Sequence, residues 1–145
     1  MFVKQISIFL ENNPGTLREL TALLGGAGVD LMALSVADTQ NFGIVRILIN
    51  SAQIDPSLAL LKANGYTARV NNVLCCEVPD RPLGLCEVLE MVENAGLSVE
   101  YMYPFLRAAG ENAHLILRLS DNQKGLQVFQ LHNVKLMGQD EVDQL

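Results

Sequence analysis

Two short turns hold the residues best suited to chemistry: Asn12-Asn13-Pro14-Gly15-Thr16-Leu17 and Asp80-Arg81-Pro82-Leu83-Gly84-Leu85, each just ahead of an apolar-periodic stretch. A helix start leaves its first N–H groups without intrahelical acceptors, and a residue lacking a side chain lets an anion approach them closely. An amino acid's carboxylate would fit the Gly15 turn. The same residues also read as plain punctuation, with Asn13 capping the helix and Pro14-Gly15 turning the chain. Catalysis finds less support. Nucleophilic chemistry needs Ser or Cys with a His and an orienting acid, and zinc needs His or Cys in close pairs. The two histidines do not supply them: His114 alternates with Leu115, Leu117 and Leu119 on a strand, and His132 lies near a helix end. Gly25-Gly26-x-Gly28 closes a helix where a phosphate cradle would open one. No catalytic residue, metal site or cofactor is expected, and the chain is not read as an enzyme.

The three cysteines, Cys75, Cys76 and Cys86, are odd in number and lack C-x-x-C spacing, so they are expected to be buried small hydrophobes in a reducing compartment. Ten basic residues stand against sixteen acidic ones, a net charge of −6 that repels phosphate backbones, so no nucleic-acid partner is expected. The excess is uneven. Residues up to Asn72 carry five basic and five acidic groups, and those beyond carry five and eleven. The N-terminus shows no secretory pattern, and no uncharged stretch approaches the roughly 18 residues of a membrane span. The expectation is a cytoplasmic protein with no membrane partner.

What positions the two turns is a duplication. An offset of 68 places Pro14 on Pro82, Leu17 on Leu85, Glu19 on Glu87, Gly28 on Gly96 and Leu31 on Val99. Leu17, Leu20, Leu24 and Ala27, like Leu85, Val88, Val92 and Ala95, recur with the helical period. Pro14 and Pro82 suit the first helical turn, and Gly28 and Gly96 suit its stop. Strands are expected over 2–10, 29–37, 44–49 and 66–70, with a hairpin turn at Asp38-Thr39-Gln40-Asn41 and a second helix opened by Asp55-Pro56. The second copy repeats the order with strands over 73–78, 98–105, 113–119 and 134–137, a helix with Pro82 in its first turn running to Ala95, another over about 122–132, and a longer hairpin at 107–112. The order is βαββαβ twice, an α+β fold of two ferredoxin-like domains with antiparallel sheets and helices on one face. The expected domains are 1–72 and 73–138, followed by a frayed acidic tail over 139–145.

The sequence resembles a tandem pair of ACT domains over residues 2–137. The likeness rests on Asn12-Asn13-Pro14-Gly15-Thr16-Leu17, matching the family's D-x-P-G-x-L turn, and on Gly26-Ala27-Gly28-Val29-Asp30-Leu31, matching its passage into the second strand. In the second copy Asp80 to Leu85 and Asn94-Ala95-Gly96-Leu97-Ser98-Val99 do the same. The resemblance implies a regulatory module that binds an amino acid between the first turn of one domain and the second strand of its neighbour. Carried over residue by residue, the ligand-binding set is Asn12, Asn13, Pro14, Gly15, Thr16 and Leu17 with Asp30, Leu31, Met32 and Ala33. Asp80, Arg81, Leu83, Gly84 and Leu85 form the equivalent set in the second copy. Asn12 departs from the usual Asp, and Leu83 from the usual Gly, with Gly84 one place late.

The function expected is a stand-alone amino-acid sensor that acts on a biosynthetic enzyme or other regulated protein. The competing expectation is a structural dimerisation module that binds nothing. In Ile44 to Ile49 and Leu74 to Val78 both strand parities carry apolar residues, and the mean hydropathy is +0.24, which together predict a covered second sheet face and a homodimer.

Overall fold

The computed structural model describes residues 1–39, 42–107 and 110–145. The chain separates between Asn71 and Asn72 into two units, and Met1–Val3 goes with the second. In the first unit, β1 (Val3–Leu10) leads to α1 (Thr16–Gly26), β2 (Ala33–Asp38), β3 (Gly43–Leu48), α2 (Ile54–Ala63) and the opening residues of β4 (Thr67–Val78). β3 pairs antiparallel with β1 and with β2, giving the order β2-β3-β1-β4. Strand alternation sends Ile6, Ile8, Val45 and Ile47 to one face. There they meet Leu20 and Leu24 of α1 and Ile54 and Leu61 of α2 in a single core, so both helices cover the same side of the sheet.

The second unit repeats the plan. β4 continues to Val78 and is followed by α3 (Gly84–Asn94), β5 (Val99–Pro104), β6 (Ala113–Leu119) and α4 (Asn122–Leu131). β6 lies antiparallel between β4 and β5. Leu74, Cys76, Val78, Leu117 and Leu119 pack with Val88 and Val92 of α3 and Phe129 of α4, and Phe2 joins this core. Each unit is thus an α+β, ferredoxin-like layer of helices on an antiparallel sheet. The second hairpin is longer, because Gly43 faces Leu10 in the first copy while Ala113 faces Val78 in the second. A 3-10 turn at Ser51–Gln53 in the first copy absorbs the difference, so Leu61 and Phe129 return to the offset of 68.

Several expectations need correction. The strands expected over 66–70 and 73–78 are one strand, β4, which runs through Asn71-Asn72 despite the turn preference of asparagine, with Asn71 Oδ1 accepting from Ser7 Oγ at 2.8 Å. β2 begins at Ala33 rather than Val29, because residues 29–32 still carry the chain back from α1, with Met32 N–H donating to Leu48 O at 2.8 Å. Pro14 and Pro82 precede their helices instead of opening them. The strand expected over 134–137 is reduced to one bridge, Cys76 with Leu136, flanked by Glu77 N–H to Lys135 O and Met137 N–H to Cys75 O. The tail expected to fray forms α5 (Gln139–Asp143): Glu141 accepts from the Gly138 amide, and Val142 is 0% exposed. One apolar residue among the charges anchors the turn. Gln40 and Asn41 of the first hairpin, and 108–109 of the second, lie outside the described residues.

Candidate functional site

The first turn bridges Leu10 and Thr16. Gly15 precedes α1 at φ 89°, a left-handed conformation that glycine takes without steric cost, and no side chain caps the helix. Asn13 acts through its backbone instead. Its carbonyl accepts from Thr16 N–H at 3.1 Å and Thr16 Oγ1 at 2.9 Å, while its side-chain amide donates to Glu11 at 3.4 Å. Glu19 N–H donates to Gly15 O. Between them, the amides of Leu17 and Arg18 find no acceptor among the described residues. The position a Cβ would take on Gly15 is open for 4 Å around. Asn12 to Gly15 are exposed, and Thr16 and Leu17 half-buried, so the turn beside these two amides is open to solvent.

Asp30, Leu31, Met32 and Ala33 are not beside this turn within their own unit. Ala33 pairs with Leu48 at one end of β3, whereas Leu10 pairs with Gly43 at the other. α1, at about 1.5 Å per residue, spans the gap. Within one copy, therefore, these residues do not border the Gly15 turn. Asp30 is exposed, and Met32 and Ala33 are buried.

The second turn is built differently. The left-handed position falls on Leu83 at φ 67°, with its side chain 70% exposed. Gly84, one residue later, is buried against Pro79, whose carbonyl oxygen a Cβ would overlap. Its glycine thus serves close packing rather than the bend. Leu85 and Cys86 N–H groups are again without acceptors among the described residues, lying between Gly84 N–H to Arg81 O and Glu87 N–H to Leu83 O. Arg81 Nη2 donates to both oxygens of Glu87, at 3.0 and 2.8 Å, and that carboxylate holds the guanidinium's pKa up. Asp80 is exposed.

Gly84 also lines a cavity of about 320 Å³ in the second unit, formed with Glu77, Val88, Met91, Val134 and Lys135. Lys135 Nζ lies 2.8 Å from Glu77 Oε2, and Asn112 Nδ2 donates to Glu77 Oε1 at 2.8 Å. Hydrogen bonds from Lys135 and Asn112 hold the Glu77 carboxyl below its usual range, and Glu77 in turn raises Lys135. These polar groups were missed by reasoning on turns; the available signal was Glu77 as the one charge in Val73-Leu74-Cys75-Cys76-Glu77-Val78. A second cavity, about 340 Å³ and bounded by Ala27, Val29, Pro56, Ser57 and Leu60, lies in the first unit. Ser57 Oγ is buried there without a hydrogen-bond partner among the described residues.

Cys75 and Cys76 are buried, but Cys86 is exposed, correcting the expectation for that residue, which sits on the outward side of α3. Burial pushes the Cys76 thiol up to about 12 and Cys75 further, the latter helped by Cys76 and Glu141. His114 is buried with its ring edge-on to Phe105. Among the described residues no cluster of His, Cys, Asp or Glu could hold a metal ion, and no helix is long and apolar enough to cross a membrane.

Two βαββαβ-derived units with a glycine-containing turn before each first helix define a paired ferredoxin-like module. The model of the family described as ACT domain pair matches residues 1–145, and the chain belongs to that family. Among solved structures, the chain is similar to protein BT0572 from Bacteroides thetaiotaomicron, with 32% identity, TM-score 0.88, and 100% of this chain and 98% of that one covered. The ligand-free regulatory subunit of aspartate kinase from Thermus thermophilus shares the fold at 11% identity and TM-score 0.61, covering 88% of this chain and 90% of that one. The corresponding subunit from Thermus flavus matches at 12% and 0.60, with the same coverage. No curated protein matches.

Proposed function

We propose that this protein is an amino-acid sensor without catalytic activity of its own. It would work in the cytoplasm as a homodimer and pass ligand occupancy to a biosynthetic enzyme or other regulated protein. The observation that carries this reading is the first turn, where the Leu17 and Arg18 amides stand unpaired beside the open, left-handed Gly15. Such a site suits a carboxylate, which two N–H groups and the positive end of α1 would hold. Asn12 and Asn13 supply neutral polar side chains next to it. Asp30 to Ala33 complete the site only when they come from a neighbouring domain, since within the unit they lie at the far end of the sheet. That requirement is what makes ligand binding and association one event. In the second turn, Arg81 and Glu87 occupy each other, and Gly84 is packed under Pro79, so the set at Asp80, Arg81, Leu83, Gly84 and Leu85 is the weaker site.

The similarity to regulatory subunits of aspartate kinase supports the reading at the level of fold. A thermal-shift screen against the proteinogenic amino acids tests it. A binder at 100 times its Kd adds about 2.7 kcal/mol to stability, and Gly15→Val should abolish the shift while preserving the fold. A screen with no shift would instead favour a structural association module. Light scattering checks the dimer: a mass of 15.9 kDa at micromolar concentration would refute it.

A further inference from the structure

Among the described residues, the two most exposed large apolar side chains are Leu131, at 77%, and Leu83, at 70%. They flank one cavity. Leu83 is the chain neighbour of Gly84 at the start of α3, Leu131 is the neighbour of His132 at the end of α4, and Gly84 and His132 both line the space of about 320 Å³ in the second unit. Val88, Met91 and Val134 give it an apolar wall. Leu83 is also costly where it stands: at φ 67° it holds the left-handed backbone that glycine takes freely, and its side chain buries little in return. Strain of that kind clusters at sites that bind something. Asn133, the other non-glycine residue at positive φ among the described residues, lines the same cavity, but asparagine tolerates that backbone at a helix end. From this juxtaposition we infer that the cavity, with Leu83 and Leu131 at its ends, is a docking surface for a basic amphipathic helix of a partner protein. The inference gives the regulated protein of the proposed function its point of contact, and it rests on that part of the reading rather than on the ligand.

Charge decides the sign of the partner. Within the cavity Glu77 is already engaged, with its buried Oε2 2.8 Å from Lys135 Nζ and its Oε1 accepting from Asn112. Glu87 is engaged as well, by the Arg81 guanidinium. These pairs cancel, and His132 and Asn133 add an imidazole and an amide that can meet polar side chains at the α4 end. What remains on the rim is negative. Asp80 and Glu90 are exposed and have no cationic partner among the described residues, and Glu90 follows Glu87 by three positions, which makes the two neighbours on the surface of α3. The second unit as a whole carries five basic residues against eleven acidic ones. A helix with apolar side chains three and four positions apart would place them on Leu83, Leu131 and the cavity, and lysines or arginines beside them would meet the acidic rim. A second copy of this chain fits less well, since its first unit carries equal numbers of basic and acidic residues and its second unit repels the rim.

A synthetic Leu/Lys peptide, with its leucines three and four positions apart, tests the assignment when titrated into the full chain and followed by fluorescence anisotropy and by methyl-13C methionine signals. The Met91 signal should move. Leu83→Gly should weaken binding by about tenfold or more, the scale of an interface anchor, and Leu131→Ser should weaken it as well. Because Leu83→Gly relieves backbone strain, it should bind less while melting no earlier, which separates a lost contact from a lost fold. Glu90→Gln should weaken binding and flatten its salt dependence, and an Ala/Lys peptide of equal charge should leave Met91 in place. The assignment falls if the Leu/Lys peptide does not bind, if it binds while Met91 stays still, or if Leu83→Gly and Leu131→Ser bind as tightly as the unsubstituted chain. If Leu83→Gly instead lowers the mass seen by light scattering, a second copy occupies the surface and the partner assignment falls. In each of these cases a shift in the amino-acid thermal screen keeps the sensor reading; no shift in that screen, with peptide binding intact, removes the sensor and leaves the docking surface.

Discussion

Exchanging which residue of the second turn is glycine should change stability in opposite directions at neighbouring positions. Leu83 holds a left-handed conformation at φ 67° with its side chain 70% exposed, so its backbone strain is offset by little burial. A left-handed residue with a Cβ costs about 1–2 kcal/mol, and a glycine in its place costs about 0.5–1 kcal/mol in unfolded-chain entropy. Leu83→Gly should therefore stabilise by about 0.5–1 kcal/mol. Gly84→Ala is the reverse case. The new Cβ overlaps the carbonyl oxygen of Pro79, a backbone atom that cannot rotate away, and overpacking of that kind costs about 1–3 kcal/mol or more. So deep an overlap with backbone belongs at the upper end of that range, and the helix preference for alanine returns about 1 kcal/mol, leaving a loss of about 2 kcal/mol. Gly15→Ala, with open space around it but φ at 89°, should lose only about 1 kcal/mol. Urea melts followed by far-UV circular dichroism would rank the three variants against the unsubstituted chain. The reasoning is refuted if Gly84→Ala is harmless, or milder than Gly15→Ala, or if Leu83→Gly destabilises.

Three further outcomes are expected. Ser57→Ala removes a buried hydroxyl with no partner among the described residues and places alanine inside α2, so stability should rise by about 1 kcal/mol, seen as a higher urea midpoint; a fall would mean that Ser57 Oγ is satisfied. Glu77, whose pKa is lowered by Lys135 and Asn112, contributes stability that is full above its ordinary 4.5 and is lost as pH falls through the lower folded value. The unsubstituted chain should accordingly lose more stability than Glu77→Gln between about pH 5 and pH 3, and equal losses in paired urea melts would contradict this. A thiol reagent at pH 8 should label Cys86 alone in the native protein and all three cysteines in denaturant, since Cys75 and Cys76 are buried with raised pKa values; rapid native labelling of more than one would overturn the packing.

The fold was legible because it rests on period. Leu20 and Leu24 against Val88 and Val92 announce two copies of one helix, and the alternation of Val45, Ile47 and Ile49 announces a strand, long before any contact is known. Both depend on which face of an element is apolar, a property that each segment carries by itself. What escaped was decided by neighbours. Val134 to Met137 has strand composition but forms one bridge, since its partner positions are limited to Cys75, Cys76 and Glu77. Gln139 to Asp143 looks like a solvated tail because four of its five residues are polar or charged, yet Val142 alone turns it into a helix.

The candidate sites divide along the same line. That Gly15 stands ahead of a helix with free amides follows from the order of residues, and the structure adds only that Asn13 uses its carbonyl rather than its side chain. The role of Gly84 could not be read that way, because the need for glycine comes from Pro79, five residues earlier, whose carbonyl lies where a Cβ would be. Glu77 and Lys135 are 58 positions apart and meet because the chain after α4 returns along β4. The two copies thus share their core by descent from one pattern while their polar groups have diverged. Both keep free backbone donors at the start of the first helix, beside an open Gly15 in the first copy and beside Leu83 in the second, where a charged pair also borders a cavity.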